Sequence, residues 1–557
     1  MSALLLTTIS PWMLTICLVV VILLFFIHVP FLFKKITRIP KRHVFVLILT
    51  LLIGGLVRFH FTPNTHRIYF DEDRYLTYAV TFARFNKTVG INLATPEKVI
   101  IGDPDQVGRI TVPVVNGWVL KLFGLKEENL FIAAKLFSTL QILLIFCATY
   151  LLYKSYSGAL LSAILFAFVP LNVYWSPSIG LDSYFVFFGL LAFVASCMYA
   201  KTPTKTTATF ATVSTILLLF VRLESYLFLL VSLVTIYSIR KTTASPFLTR
   251  ADITYGFIAL PFIAVRGLVS ASVLGKTWCC GESTPLEAFG SGYFVRNTIP
   301  NIIGLFNNPA FPFIISFVAM VMIFTRRDWR TAPLIVWLLC YFVIYSFYFA
   351  GLFYTYEFSG SYGRYFLMLI PPLIILASMG LLNIHSWLRK KSTLVRIFAF
   401  LVIVGSLYPT FASYTKLVFL SPYDKFVDAG PRNIHVHLEK GILPKTPNNS
   451  TIIHALTGVT LLHNRNAVYF ASLLYNPVAQ NFVLNELKDG REVYMLQTYS
   501  CEAYEEKCAK LLSLFDITTL PPDPRYSNLS LARLTLKTST PQKKKSPVPL
   551  DSNRDSR

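Results

Sequence analysis

Leu130-Phe-Ile-Ala-Ala-Lys-Leu-Phe-Ser-Thr-Leu-Gln-Ile-Leu-Leu-Ile-Phe-Cys-Ala-Thr-Tyr-Leu-Leu-Tyr153 is an apolar run with a single charge, Lys135, and it is closed by Lys154. As a helix rising ~1.5 Å per residue it is long enough to cross a hydrocarbon core of ~30 Å. Runs of the same character recur at Thr15 to Phe33, Leu160 to Trp175, Tyr184 to Ala200 and Leu334 to Ala350. The whole chain of 557 residues follows suit: 54% hydrophobic, only 14% charged, mean hydropathy +0.57. Soluble domains carry about a quarter charged residues, so this composition excludes one and implies apolar surface that meets lipid. The net charge of +23 would suit a nucleic-acid partner if it formed one patch. Much of it instead lies in short clusters between apolar runs, the pattern of cytoplasmic loops. No nucleic-acid partner is expected.

Those clusters set the topology. Lys34, Lys35, Arg38, Lys41 and Arg42 separate the first two runs. Lys154, then Lys201 with Lys205, then Arg240, Lys241 and Arg250, each follow an apolar run. So do Arg326, Arg327 and Arg330, and finally Arg389, Lys390 and Lys391. Spans placed at 11–33, 43–60, 129–153, 158–176, 182–200, 206–221, 224–239, 253–272, 310–325, 331–350, 364–383 and 394–414 put every cluster on one face. About twelve spans and two outward-facing termini follow. The first run lacks a preceding basic residue and a small-residue cleavage pattern, which makes it an uncleaved span.

Three polar segments remain, all on the outer side: 61–128, 273–309 and 415 onward. The second holds Trp278-Cys-Cys-Gly-Glu282 with scattered Gly, Asn and Pro, and reads as an irregular loop. In the third, Thr451–Leu456, Ala467–Ala471 and Glu492–Gln497 read as short strands and Cys501–Leu514 as an amphipathic helix. The expected organisation is an extra N-terminal span and basic loop (1–42), a membrane module (43–414), an outer α/β domain (415–537) and a disordered tail (538–557). Cys279, Cys280, Cys501 and Cys508 face outward, so Cys501–Cys508 is the simplest disulfide, with free thiols as the alternative.

The ionisable residues gather at outer span ends. Asp71-Glu72-Asp73-Arg74-Tyr75 follows the second span; on a helix, Asp71, Arg74, Tyr75 and Tyr78 share a face. A carboxylate beside a guanidinium stays ionised and serves as a base, and guanidinium binds phosphate through paired hydrogen bonds. Read alone, the motif is also an acidic first turn that complements a helix dipole. Asp182 opens a span and has the same plain explanation. Arg222-Leu-Glu224 breaks an apolar stretch, and Arg364-Tyr365 precedes a span containing Pro371-Pro372. Snorkelling to water would explain either arginine. Taken together, two acids and several arginines at the outer ends of separate spans suit attack on a phosphate-activated sugar.

In that order these elements resemble the GT-C superfamily of membrane glycosyltransferases, in particular its protein O-mannosyltransferase and lipid A aminoarabinose transferase-like branch. Asp71-Glu72 with Arg74-Tyr75 is similar to the branch's first-loop signature. Leu181-Asp182-Ser183 is similar to its second acidic site, Val221-Arg222 stands where Thr-Lys is usual, and Gly363-Arg364-Tyr365 matches its late Arg-Tyr element. The resemblance covers about residues 45–420. It implies an all-α polytopic fold with a small outward α/β C-terminal domain. It also implies sugar transfer, with inversion, from a polyprenyl-phosphate donor to a lipid, glycan or protein hydroxyl outside a membrane, here taken as the plasma membrane. Asp71 would be the catalytic acid–base with Glu72 in support; Arg74, Tyr75, Arg109, Asp182, Arg222, Arg364 and Tyr365 would contact donor and phosphate. Any cofactor would be a divalent metal ion on Asp71 and Asp182. Where the branch has an acidic or His residue followed by Lys or Pro-Pro, this chain has Gln106-Val-Gly-Arg109-Ile-Thr, which leaves Arg109 the basic role. The alternatives are a secondary transporter, which calls for symmetric halves and mid-span polar residues, and an inactive scaffold of the same fold.

Overall fold

The computed structural model describes residues 3–36, 40–66, 69–103, 109–243, 246, 249–274, 289–308, 310–326, 328–348, 351–353, 363–414, 437–496, 509, 514–521 and 531–537. The Trp278–Glu282 segment, most of the expected 501–514 helix, all four outward cysteines and the 538–557 tail lie outside the described residues.

The helices of the apolar part are α1 (Ala3–Ile36), α2 (Lys41–His60), α3 (Tyr69–Phe85), α4 (Thr111–Phe123), α5 (Glu127–Tyr153), α6 (Tyr156–Ala167), α7 (Pro170–Tyr174) and α8 (Leu181–Lys201). They continue as α9 (Lys205–Leu219), α10 (Leu227–Thr243), α11 (Arg250–Leu274), α12 (Ser291–Asn307), α13 (Phe313–Thr325), α14 (Ala332–Phe347), α15 (Ile370–Leu388) and α16 (Thr393–Tyr414). Helix fills most of each of the twelve segments read as spans, but 158–176 is broken between α6 and α7 at Phe168 and Val169. Among the described residues, seven helical stretches are long and apolar enough to cross a membrane: Thr7–His28, α2, α5, α8, Leu223–Thr243, Trp329–Phe347 and Gly363–Leu388. The chain is an integral membrane protein. In one respect the segment 273–309 differs from the irregular loop expected: its second half is the helix α12, with Asn297 and Asn301 one turn apart on a buried face.

Two buried cations near the C-terminal end of α2 are held by backbone carbonyls and a hydroxyl. Arg58, fully buried near the end of α2, donates to the carbonyls of Gly54 and Ala167 at 2.9 Å each and to Ser138 at 3.0 Å. Lys135 donates to the Thr62 carbonyl at 2.6 Å. The Ala167 and Thr62 carbonyls lie at or just beyond helix ends, where backbone acceptors are left open. Arg240 holds Asp252 through two bonds of 2.9 and 3.0 Å and ties α10 to α11.

Residues 437 onward form most of an α/β unit. Strands β1 (Gly90–Ala94), β2 (Val99–Asp103), β3 (Thr451–His454), β4 (Asn466–Tyr469), β5 (Val493–Leu496), β6 (Phe515–Thr519) and β7 (Leu531–Leu536) make one sheet in the order β2-β1-β4-β3-β5-β7-β6. The strands expected near 451, 467 and 492 are β3, β4 and β5; β4–β3–β5 is parallel, and β5–β7 and β7–β6 are antiparallel. The sheet takes β1 and β2 from residues 90–103, between α3 and α4, joined through Leu93–Val468 and Ala94–Ala467. Helices α17 (Thr457–Leu462), α18 (Phe470–Tyr475) and α19 (Pro477–Lys488) flank it.

Helix α3 sits between sheet and bundle. Its Leu76, Ala79, Val80 and Ala83 form an i, i+3, i+4, i+7 stripe against Leu456, Val459 and Leu461, whereas Tyr75 joins the membrane-side core. Burying Leu76 and Val80 contributes about 1.5–3 kcal/mol each and the alanines less, so α3 is fixed by the sheet domain as well as by the bundle. Gly458 of α17 lies so close that an added Cβ would stand 2.7 Å from the Thr77 hydroxyl oxygen and 2.8 Å from the Thr77 backbone nitrogen. Backbone cannot yield as a side chain would. Gly458→Ala is therefore expected to destabilise the protein by about 1–3 kcal/mol, read as a fall in the thermal midpoint; an unchanged midpoint would show that this docking is loose.

Candidate active site

The first turn of α3 carries Asp71, Glu72 and Asp73, and their side chains go to three different places. Asp71 faces the arginines. Its Oδ2 accepts from Arg364 Nη1 at 2.7 Å, and its side chain is 45% exposed while that of Arg364 is 16% exposed. Arg364 Nη2 donates to the Tyr365 hydroxyl at 3.0 Å. Arg364 Nε is buried and has no partner among the described residues. Burial opposes ionisation of the Asp71 carboxyl, but Arg364, then Arg109 and Arg222, outweigh it and hold the group below its ordinary range.

The second acid is Asp182, buried in the first turn of α8, which accepts from Arg222 Nη1 at 2.5 Å. Arg222 Nε lies 2.6 Å from Glu224 Oε1, which also accepts from the Tyr345 hydroxyl at 3.0 Å. The Arg222 guanidinium stands over the rings of Phe185 and Tyr365, at 5.6 and 5.4 Å. Arg109 is hydrogen-bonded to Tyr75 and feels both Glu224 and Arg222. Asp71, Tyr75, Arg109, Asp182, Arg222, Arg364 and Tyr365 thus form one cluster, drawn from positions almost 300 residues apart. It lies where α8, the Leu223–Tyr226 turn and the Gly363–Leu369 turn begin. The opposite ends of α8, α10 and α15 carry Lys201, Arg240 with Lys241, and Arg389 with Lys390.

Two expected site residues sit apart. Arg74 is hydrogen-bonded to Tyr78 and attracted by Asp103, so it ties α3 to β2. Glu72 is fully buried, with its oxygens against His66 and Ser178. As for a metal, the carboxylates of Asp71 and Asp182 are each engaged by a guanidinium. No three His, Cys, Asp or Glu side chains among the described residues gather as a ligand set. These donors do not fit a divalent cation, and no step below passes through one.

Sequence reading passed over Tyr345 and Arg266 and named Glu224 without giving it a role. Glu224 and Tyr345 complete the Arg222 network, and Arg266 of α11, buried and donating to the Leu219 carbonyl at 3.0 Å, feels Arg109 and Glu224. A lone arginine inside an apolar run was the available signal for Arg266, because such a charge is costly in lipid without a partner. The tyrosine wall is set by α12: Asn297 donates to the Tyr348 carbonyl at 2.7 Å, and Asn301 to the Gly351 carbonyl at 2.9 Å. Tyr345 and Tyr348 then pack on Tyr365, with ring centres 5.0 and 5.5 Å away.

With this geometry in hand, the fold can be placed among solved structures. ArnT from Cupriavidus metallidurans bound to undecaprenyl phosphate is similar over 87% of this chain and 97% of its own, with TM-score 0.54 and 13% identity. The two chains share a fold. The apo state of the same ArnT is similar over the same shares, with TM-score 0.53 and 14% identity. AglB from Archaeoglobus fulgidus, in complex with an inhibitory peptide and a dolichol-phosphate, gives TM-score 0.47 and 13% identity over 86% of this chain and 73% of its own. No family model and no curated protein matches the sequence.

The third acid of the turn, Asp73, has a measurable consequence. It is fully enclosed, bonded to the Val459 backbone N–H, and burial, reinforced by Glu127, pushes its carboxyl up to about 8 despite His66 and that bond. Because the folded-state value lies above the unfolded 3.8, the unfolded chain releases this proton first, and the group withdraws stability as pH rises from 4 to 8. Asp73→Asn removes that dependence. The variant's thermal midpoint relative to the parent should climb between pH 4 and 8 and level off above; a pH-independent difference would refute the buried neutral acid.

Proposed function

We propose that the chain transfers a sugar from a polyprenyl-phosphate-linked donor to an acceptor hydroxyl on the non-cytoplasmic face of the plasma membrane, with inversion. What carries the reading is the convergence of the Asp71–Arg364 and Asp182–Arg222 pairs at one end of a GT-C bundle. The acceptor oxygen attacks the anomeric carbon as the bond from that carbon to the phosphate oxygen breaks. Asp71 takes the hydroxyl proton, and the departing phosphate keeps the electron pair. Arg364, Arg222 and Arg109 offset the charge that develops on the phosphate. In the free protein Arg364 is committed to Asp71 through Nη1, leaving its buried Nε for an anionic oxygen. A donor phosphate competing for Arg364 would leave Asp71 a stronger base once the donor is bound. The acid limb of kcat/KM should therefore fall at lower pH than that of kcat, since the first reports the free protein.

A strain lacking the gene tests the reaction. It should accumulate a polyprenyl-phosphate sugar visible by mass spectrometry of its lipids, and purified protein added to its membranes should consume that lipid. Accumulation of a free solute with no change in lipid-linked sugars would instead indicate transport.

A further inference from the structure

The mechanism above leaves a buried group of acids unused. Glu72 Oε2 lies 3.0 Å from His66 Nδ1, and His66 Nε2 lies 2.7 Å from Glu127 Oε1. The other Glu72 oxygen accepts from the Ser178 hydroxyl. All four side chains are buried. Ser178 belongs to the short segment between α7 and α8 that leads into Asp182. Its Oγ also accepts from the Gly180 N–H at 3.3 Å, and a Cβ on Gly180 would stand 3.2 Å from Glu72 Cγ. The same segment is held from its far side: Asn116 donates to the Ile179 carbonyl at 3.1 Å and Gln141 to the Ser183 carbonyl at 2.8 Å.

We infer that Glu72 is a positioning residue: clamped by His66 and bonded to Ser178, it fixes the first turn of α3 against the segment that presents Asp182, and so sets Asp71 and Asp182 in register. This rests on the function proposed above and changes the role expected for Glu72. Both of its oxygens are already engaged in a buried pocket, one with His66 and one with Ser178. A carboxylate at this place is favoured because one residue must accept from Ser178 and from the His66 ring together. Burial works against a charged His66 ring, but Glu127 and Glu72 on either side push it up to about 10. The clamp is therefore a charged, directional contact and not apolar packing. Glutamine has the shape to replace Glu72: its carbonyl oxygen accepts from Ser178 and its amide donates to a neutral His66 ring whose Nε2–H still reaches Glu127.

The test uses the full-length protein in detergent, with the lipid-linked sugar from the deletion strain as substrate and undecaprenyl phosphate as the binding probe. Glu72→Ala should lower kcat about 100-fold with the dissociation constant of undecaprenyl phosphate changed less than threefold. Glu72→Gln should restore kcat to within about fivefold of the parent. Ser178→Ala should cost about tenfold alone and nothing further in the Glu72→Ala background, since both remove one contact. If Glu72→Gln is as inactive as Glu72→Ala while still binding undecaprenyl phosphate, Glu72 acts chemically and the inference is overturned. Should Glu72→Ala fail to fold, Glu72→Gln and Ser178→Ala decide it alone. Failure of the parent protein to consume the lipid-linked sugar would instead sink the proposed function, a separate outcome.

Discussion

Asp71→Asn is expected to lower the consumption of the lipid-linked sugar by about 10²–10⁴-fold, the range for loss of a general base. The substitution keeps the shape of the side chain and an oxygen that accepts from Arg364, so the bundle and the arginine cluster should survive. Binding of undecaprenyl phosphate should persist or tighten, because Arg364 no longer answers a full negative charge 2.7 Å away. The combination is diagnostic. A variant that loses turnover but holds phosphate has lost a proton acceptor, whereas one that loses both has lost its architecture. Turnover within threefold of the parent would remove Asp71 from the chemistry.

Arg222→Leu is expected to have the largest structural effect in the site. Arg222 answers two acids, Asp182 and Glu224, of which Asp182 is buried, and its own side chain is 13% exposed. Removing one partner of a buried ion pair leaves an uncompensated charge and costs about 3–5 kcal/mol. Here two carboxylates are stranded, and Leu also removes the cation between Phe185 and Tyr365. Thermal unfolding should show the loss, with turnover abolished. Adding Glu224→Gln should recover part of the stability but not the turnover, because a stranded charge is neutralised while the phosphate still lacks its cation. If the double variant is no more stable than the single one, the Arg222–Glu224 contact contributes little in the folded protein.

Legibility differed between kinds of feature. The bundle could be read because lipid imposes a length and a composition on each helix, and those are local properties: helix fills most of each segment read as a span, with one break inside 158–176. The strands at 451, 467 and 492 were legible for a related reason, a short β-rich run between turn residues. The contribution of residues 90–103 to the same sheet was not, since a strand's pairing partner is chosen by tertiary contact and here lies over 350 residues away. Helix α12 was hidden by its Gly, Asn and Pro content, which reads as loop. Its asparagines are spent on the backbone of 346–353, a use that only the packed structure reveals.

The first turn of α3 shows where the division falls. Asp71, Glu72 and Asp73 are adjacent in sequence, equally acidic and equally placed for a helix start. Sequence alone determined that this protein lies in a membrane as a helical bundle, that acids and arginines mark the ends of its helices, and that the turn is one of those marks. Only the tertiary structure decided that one of the three meets arginine, one a histidine and one a backbone N–H of the sheet domain. The reason is physical: successive side chains on a helix diverge by ~100°, so neighbours in the chain enter different surroundings, and surroundings fix a carboxyl group's charge and task.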